Sequence, residues 1–152
     1  MVDVHSKATR SKNMSAIRAV HTKPEITVRR ALHAMGFRFR LHSKNLLGKP
    51  DIILPKYKVV IFVNGCFWHK HECDVFRLPS TRKEWWDKKL TGNRLRDESV
   101  QDKLREIGWR VIVIWECALK GSTRLPPAEL YSYLGRWIKN TKSNYVEIPE
   151  PA

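Results

Sequence analysis

The chain has 152 residues, 42% of them hydrophobic, and carries 29 Lys+Arg against 15 Asp+Glu, a formal charge of +14. A chain of this length buries roughly two thirds of its unfolded surface in a core of its own, which excludes a disordered basic tail and a disulfide mini-scaffold. There is no apolar run near the ~20 residues of a membrane span, no signal-peptide core and an odd number of cysteines, three, so the expectation is a soluble, cytoplasmic protein with free or metal-bound thiols.

The charge is concentrated early, because residues 1–49 hold 11 Lys+Arg and only two acids, Asp3 and Glu25. A polyanion is the simplest partner, since every cation that neutralises a phosphate releases a condensed counterion. An anionic membrane surface fits less well without an amphipathic Lys/Trp helix or a lipidation motif. Residues 1–20 are polar and basic, with few large apolar side chains beyond Met14 and Ile17. They read equally as a solvated terminus or as an arm that touches nucleic acid, with Arg10 and Lys12 as its cations.

Thr22-Lys23-Pro24-Glu25 is a capping box, with Pro24 in the first turn where a missing N–H costs nothing. It predicts a helix to about Met35, ended by Gly36. Phe37 to Leu41 alternates as a half-buried strand. Leu47 to Pro50 is turn chemistry, and two paired strands follow, Asp51–Leu54 and Lys58–Val63. A polar loop from Asn64 to about Ser80 interrupts the pattern. Thr81–Leu90 and Asn93–Ile107 read as two helices separated by Thr91-Gly92, Trp109–Trp115 as a strand buried on both faces, and Pro126–Ile138 as a last helix. These elements predict one α/β domain over residues 21–140 with a central mixed sheet flanked by helices, and a tail over 141–152.

Cys66, His69, His71 and Cys73 fall within eight residues, and Cys117 follows the last predicted strand. Tetrahedral zinc takes four N or S ligands, which Cys66, Cys73, Cys117 and either His71 or His69 supply; buried thiols or a Cys66–Cys73 bridge are the alternatives. Whichever histidine is spare can act as an acid or base. Phe67-Trp68 and Trp85-Trp86 cannot both bury both members, so exposed rings are expected, suited to stacking on bases.

Pro50-Asp51 opens a strand, where metal-dependent nucleases place a carboxylate for Mg²⁺; a turn aspartate bonding its own backbone looks the same in sequence. The second carboxylate and lysine that usually accompany it on the next strand are missing, since Tyr57–Val63 holds no acid. A further metal contact must come from a backbone carbonyl, from Glu25 or from water.

Taken together, Ala8 to Met14, Gly48-Lys49-Pro50-Asp51, Gly65-Cys66-Phe67-Trp68-His69, Leu78 to Arg82, Gly108 to Val111 and Ile114 to Cys117 resemble the very-short-patch-repair (Vsr) endonucleases over about residues 3–140. The resemblance implies a restriction-endonuclease-like fold that nicks DNA 5′ to the thymine of a T:G mismatch left by deamination of 5-methylcytosine. It implies Mg²⁺ on Asp51 and the carbonyl of Val63, Glu25 ordering water there, His69 as acid/base residue, and structural zinc on Cys66, His71, Cys73 and Cys117. Phe67, Trp68 and Trp86 match the wedge that opens the mismatch, and Met14 matches a residue reaching in from the minor groove. One position departs: Asn64 stands where the family has a histidine, and an amide binds a phosphate but exchanges no proton near neutral pH. The partner implied is double-stranded mismatched DNA bound by a monomer, with mismatch-repair proteins and a cytosine-5 methyltransferase system as further candidates. The rival reading is a non-catalytic zinc module that binds distorted DNA.

Overall fold

The computed structural model describes residues 22–73 and 76–151. Helix α1 spans Lys23–Ala34, α2 Lys83–Glu106 and α3 Pro127–Asn140; strands β1 to β5 span Arg40–Leu41, Ile52–Leu54, Val59–Asn64, Arg110–Trp115 and Tyr145–Ile148. The sheet runs in the order β1-β2-β3-β4-β5. The first two pairings are antiparallel and the last two parallel, so the sheet is mixed, as expected.

Side-chain alternation splits the core into two layers. On one face Ile112 and Ile114 of β4 pack with Val28 and Leu32 of α1 and Leu134 and Ile138 of α3. On the other, Val111, Val113 and Trp115 meet Leu104 of α2 and the two buried cysteines, Cys66 and Cys117. Burial on both faces is why β4 reads as an unbroken apolar run. Among the described residues no helix is long and apolar enough to cross a membrane.

Three boundaries differ from the sequence reading. Residues 141–152 are not a plain tail: Tyr145–Ile148 forms the parallel edge strand β5, with Val146 opposite Ile112 and Ile148 opposite Ile114. Its two inward side chains are buried, which outweighs the signal of the flanking prolines. Thr91-Gly92 does not break α2, which is continuous over 24 residues. A helical glycine costs only about 1 kcal/mol, and Leu90 and Leu104, both buried, anchor the helix on either side of it. Of the predicted Phe37–Leu41 strand only Arg40 and Leu41 pair, opposite Ile53 and Ile52; Phe37 instead packs edge-on to Tyr57 at 5.6 Å, its side chain buried in the core.

Arg110, the first residue of β4, closes the C-terminal end of α3. Its guanidinium donates to the carbonyls of Trp137, Ile138, Thr141 and Ser143 at 2.8–3.1 Å and lies over the Trp137 ring. It thereby satisfies carbonyls that a helix end leaves without partners. Arg110→Ala is expected to cost about 3–5 kcal/mol, read as a fall of roughly 10 °C or more in melting temperature. Arg110→Lys should recover less than half, since an ammonium cannot span four carbonyls; a variant that melts within a few degrees of wild type refutes this role.

Candidate active site

The antiparallel hairpin and the parallel β3–β4 pair bring the sites together at one end of the sheet. Asp51 immediately precedes β2, and its Oδ2 accepts a hydrogen bond from the Val63 N–H near the end of β3, at 2.8 Å. Asp51, Val63, Asn64 and His69 line one cleft of about 230 Å³, together with Lys49 from the preceding turn and Asp97, Val100 and Gln101 from α2. Gly48 lets that turn approach the helix: its φ is +78°, and a Cβ there would come within 2.3 Å of Val100 Cγ1. A larger cavity, between α3 and residues 147–150, holds none of these groups.

Burial pushes the Asp51 carboxyl up from 3.8 to about 6, with the Glu25 carboxylate adding to the rise and the Val63 N–H and His42 opposing it. Glu25 is nearly inaccessible. Thr22 caps α1 by accepting from the Glu25 N–H at 3.3 Å, whereas the Glu25 carboxylate turns to Arg29 at 2.6 Å and to His42 at 3.0 Å. One donor atom each from Glu25, His42 and Asp51 lie within 4.8 Å of one another.

The loop after β3 separates the two histidines that spacing left interchangeable. His71 stacks flat on Trp115 at 4.1 Å, and its Nδ1 lies 3.6 Å from Cys117 Sγ. With Cys66 and Cys73 it completes a group whose donor atoms lie within 4.8 Å of one another. All three cysteines are free thiols. Burial pushes the Cys66 and Cys117 thiols up and the His71 imidazole down. Three sulfurs and one neutral ring nitrogen, converging at this spacing, match a soft tetrahedral cation.

His69 turns the other way, its Nδ1 hydrogen-bonded to the Asp97 carboxylate. The loop is clamped to α2 by Asn93 Nδ2 donating to the Trp68 carbonyl at 3.1 Å, by Arg94 donating to the Lys70 carbonyl at 3.0 Å, and by the Lys70–Asp87 ion pair at 2.8 Å.

Phe67, Trp68 and Trp86 form one aromatic cluster, with ring centroids 5.0–6.1 Å apart. Trp85 extends it, is 45% exposed, and has Arg82 and Lys89 over its ring. Arg10, Lys12 and Met14 lie outside the described residues. The sequence reading had not singled out Asp97, Gln101, Arg29 or His42. Asp97 is one of many polar residues along α2, and nothing in the local sequence of His42 marks it.

The sequence pattern described as "DNA mismatch endonuclease Vsr" matches residues 2–75. The DNA mismatch endonuclease Vsr of Escherichia coli is 45% identical over 138 residues, covering 91% of this chain and 88% of that protein. The chain belongs to the Vsr family. Two further relatives are the type II nicking enzymes V.XorIIP of Xanthomonas oryzae pv. oryzae and V.NmeAIP of Neisseria meningitidis. The first is 45% identical, covering 78% of this chain and 88% of the relative; the second is 44% identical, covering 79% and 86%. Membership makes this Vsr chain a DNA endonuclease, and the nuclease family points to a divalent metal.

Proposed function

We propose that the protein nicks double-stranded DNA on the 5′ side of the thymine in a T:G mismatch by divalent-cation-dependent hydrolysis, on a restriction-endonuclease-like fold. The observation that carries this is the convergence of Asp51, Asn64 and the His69–Asp97 pair on one cleft. The half-buried Asp51 carboxylate and the Val63 carbonyl would hold the ion, Mg²⁺ in the family reading, with the buried Glu25 carboxylate ordering water beside it. When bound, it offsets charge on the scissile phosphate and activates water as nucleophile.

The chain's own groups supply the rest. Asp97 accepts from His69 Nδ1–H and so fixes the tautomer, leaving Nε2 as the atom that takes or gives the proton. Lys49 offers a cation to the phosphate at the mouth of the cleft. The Asn64 amide, buried on the cleft wall, can donate to a phosphate oxygen. Phe67, Trp68 and Trp86 are the rings we assign to wedging the mismatch open, at about 1–3 kcal/mol per stacked base. We assign Arg10, Lys12 and Met14 to the same DNA-binding surface. Cys66, His71, Cys73 and Cys117 are assigned to structural zinc, since three sulfurs and an imidazole leave no open position for chemistry.

The deciding experiment is nicking of end-labelled T:G duplexes against matched T:A controls in several flanking contexts, with Mg²⁺ or EDTA. Cation-dependent cleavage 5′ to the mismatched thymine is expected, leaving a 5′-phosphate and a 3′-hydroxyl. Tight mismatch binding without a cut in any context would instead indicate a binding module. Asp97→Asn is expected to lower the single-turnover rate at least about tenfold, because the carboxylate that steadies the charged imidazole is lost. Affinity for mismatched DNA should stay unchanged; an unaltered rate would remove Asp97 from the mechanism.

A further inference from the structure

Glu25 lies on α1, His42 directly after β1 and Asp51 directly before β2, yet one donor atom from each falls within 4.8 Å of the other two. His42 Nε2 is 3.0 Å from Glu25 Oε2, and its Nδ1 is 3.9 Å from Asp51 Oδ1. Donors about 2.1 Å from a six-coordinate ion lie about 3 Å apart when adjacent and about 4 Å apart when opposite. The two contacts use different ring nitrogens and an ion takes one of them, so closing the set requires the His42 ring to turn one nitrogen toward both carboxylates, within the 4.8 Å spread of single donor atoms.

The backbone holds the imidazole there. His42 sits at φ 47°, which costs a non-glycine residue about 1–2 kcal/mol, and its N–H donates to the Asp51 carbonyl at 3.2 Å. A glycine or asparagine would serve that turn more easily; histidine adds a nitrogen donor. The two carboxylates attract a cation, and Arg29, which already offsets part of the Glu25 charge, keeps that carboxylate in place at 2.6 Å.

We propose that Glu25, His42 and Asp51 form a mixed carboxylate–imidazole cation site, and that its nitrogen donor makes Mn²⁺, rather than Mg²⁺, the ion this chain prefers. The inference rests on the metal-dependent reading above and names its metal. Mg²⁺ takes oxygen ligands and gives up its water reluctantly, whereas first-row transition ions accept imidazole beside carboxylate.

The test uses the full chain with its cysteine site filled by zinc. Pulsed EPR of added Mn²⁺ should show the nitrogen coupling of a directly bound imidazole, replaced by the ¹⁵N pattern in protein grown on ¹⁵N-histidine. The coupling should vanish in His42→Gln and persist in His69→Gln. By titration calorimetry, wild type should bind Mn²⁺ at least about tenfold tighter than Mg²⁺, and His42→Gln should bring the two close to equal.

Bound Mn²⁺ without nitrogen coupling, or coupling that survives in His42→Gln, overturns the proposal. If His42→Gln does not fold, His42→Asn, whose side chain suits the positive φ there, takes its place, and coupling that survives in it overturns the proposal. Nicking measured in parallel separates the two levels. Cation-dependent cleavage without nitrogen coupling refutes this site and leaves the function standing. Coupling without any cleavage of T:G duplexes supports the site and refutes the proposed mismatch-nicking activity.

Discussion

Exchange of Asp51 for asparagine is expected to abolish cleavage and, at the same time, to make the metal-free protein harder to unfold. The loss of activity follows from removing the one carboxylate shared by the cleft and the Glu25–His42 group. A Lewis-acid contribution of several kcal/mol corresponds to a fall of about 10³-fold or more in rate. DNA binding should be unchanged or slightly tighter, since a negative charge leaves a site built for phosphate.

The gain in stability follows from the position of the Asp51 carboxyl. Its pKa is raised from 3.8 to about 6 in the folded chain, mainly by burial and then by Glu25. The folded state therefore holds its proton more tightly than the unfolded state. The associated stability is present below about 3.8, falls as pH rises, and is gone above about 6. At about pH 7.5 the metal-free wild type carries the full penalty of a buried charge, roughly 1–3 kcal/mol. Asparagine removes that penalty while its carbonyl still accepts from the Val63 N–H. The variant should melt higher by about 3–8 °C at about pH 7.5, and the difference should close below about pH 4. Cleavage within tenfold of wild type would displace Asp51 from the reaction. An equal melting temperature at both pH values would mean that the carboxylate is compensated where it lies.

What the sequence made legible follows the range of the interactions involved. The apolar run of β4 was readable because its burial on both faces is written in consecutive residues. Thr22 was readable because a cap is a local contact. Spacing alone did not tell His71 from His69, since both are within reach of the cysteines along the chain; the family resemblance did, giving zinc to His71 and the acid/base role to His69. The stacking of His71 on Trp115 and the turn of His69 toward Asp97 separate them in the same sense. Asp97 and His42 have the same character: each acquires meaning from a side chain 28 or 17 residues away. The positive φ that holds His42 over Asp51 leaves no mark in composition. Strand β5 was missed for a related reason. Its two buried residues are too few to show a period, and its single hydrogen-bonded neighbour, β4, lies beyond α3 in the chain.

If the cysteine group holds zinc as proposed, removing that ion should cost more stability than any single substitution considered above. Cys66 follows β3 and Cys117 follows β4, neighbouring parallel strands paired as far as Asn64 and Trp115, and both cysteines are buried in the core layer against α2. His71 and Cys73 belong to the loop that also carries Phe67, Trp68 and His69, and between Asn64 and Lys83 the described residues contain no helix or strand. On the proposed zinc assignment, one ion would fasten the loop that carries Phe67, Trp68 and His69 to the ends of the two central strands. Apparent binding energies of structural zinc are about 10–16 kcal/mol, as large as the whole stability of a typical domain, about 5–15 kcal/mol. Wild type should contain one zinc per chain by elemental analysis. Cys73→Ser, or a zinc-specific chelator, should lower the melting temperature by more than about 15 °C and abolish mismatch binding together with nicking. Because burial pushes the Cys66 and Cys117 thiols up, the ion must displace their protons. Zinc affinity should therefore climb steeply with pH, by up to about three powers of ten per pH unit for three thiols, and the protein should shed its ion on mild acidification. A chelated chain that keeps its melting temperature and its grip on mismatched DNA would show that the thiols are ordinary core residues and that the loop is held by its contacts to α2 alone.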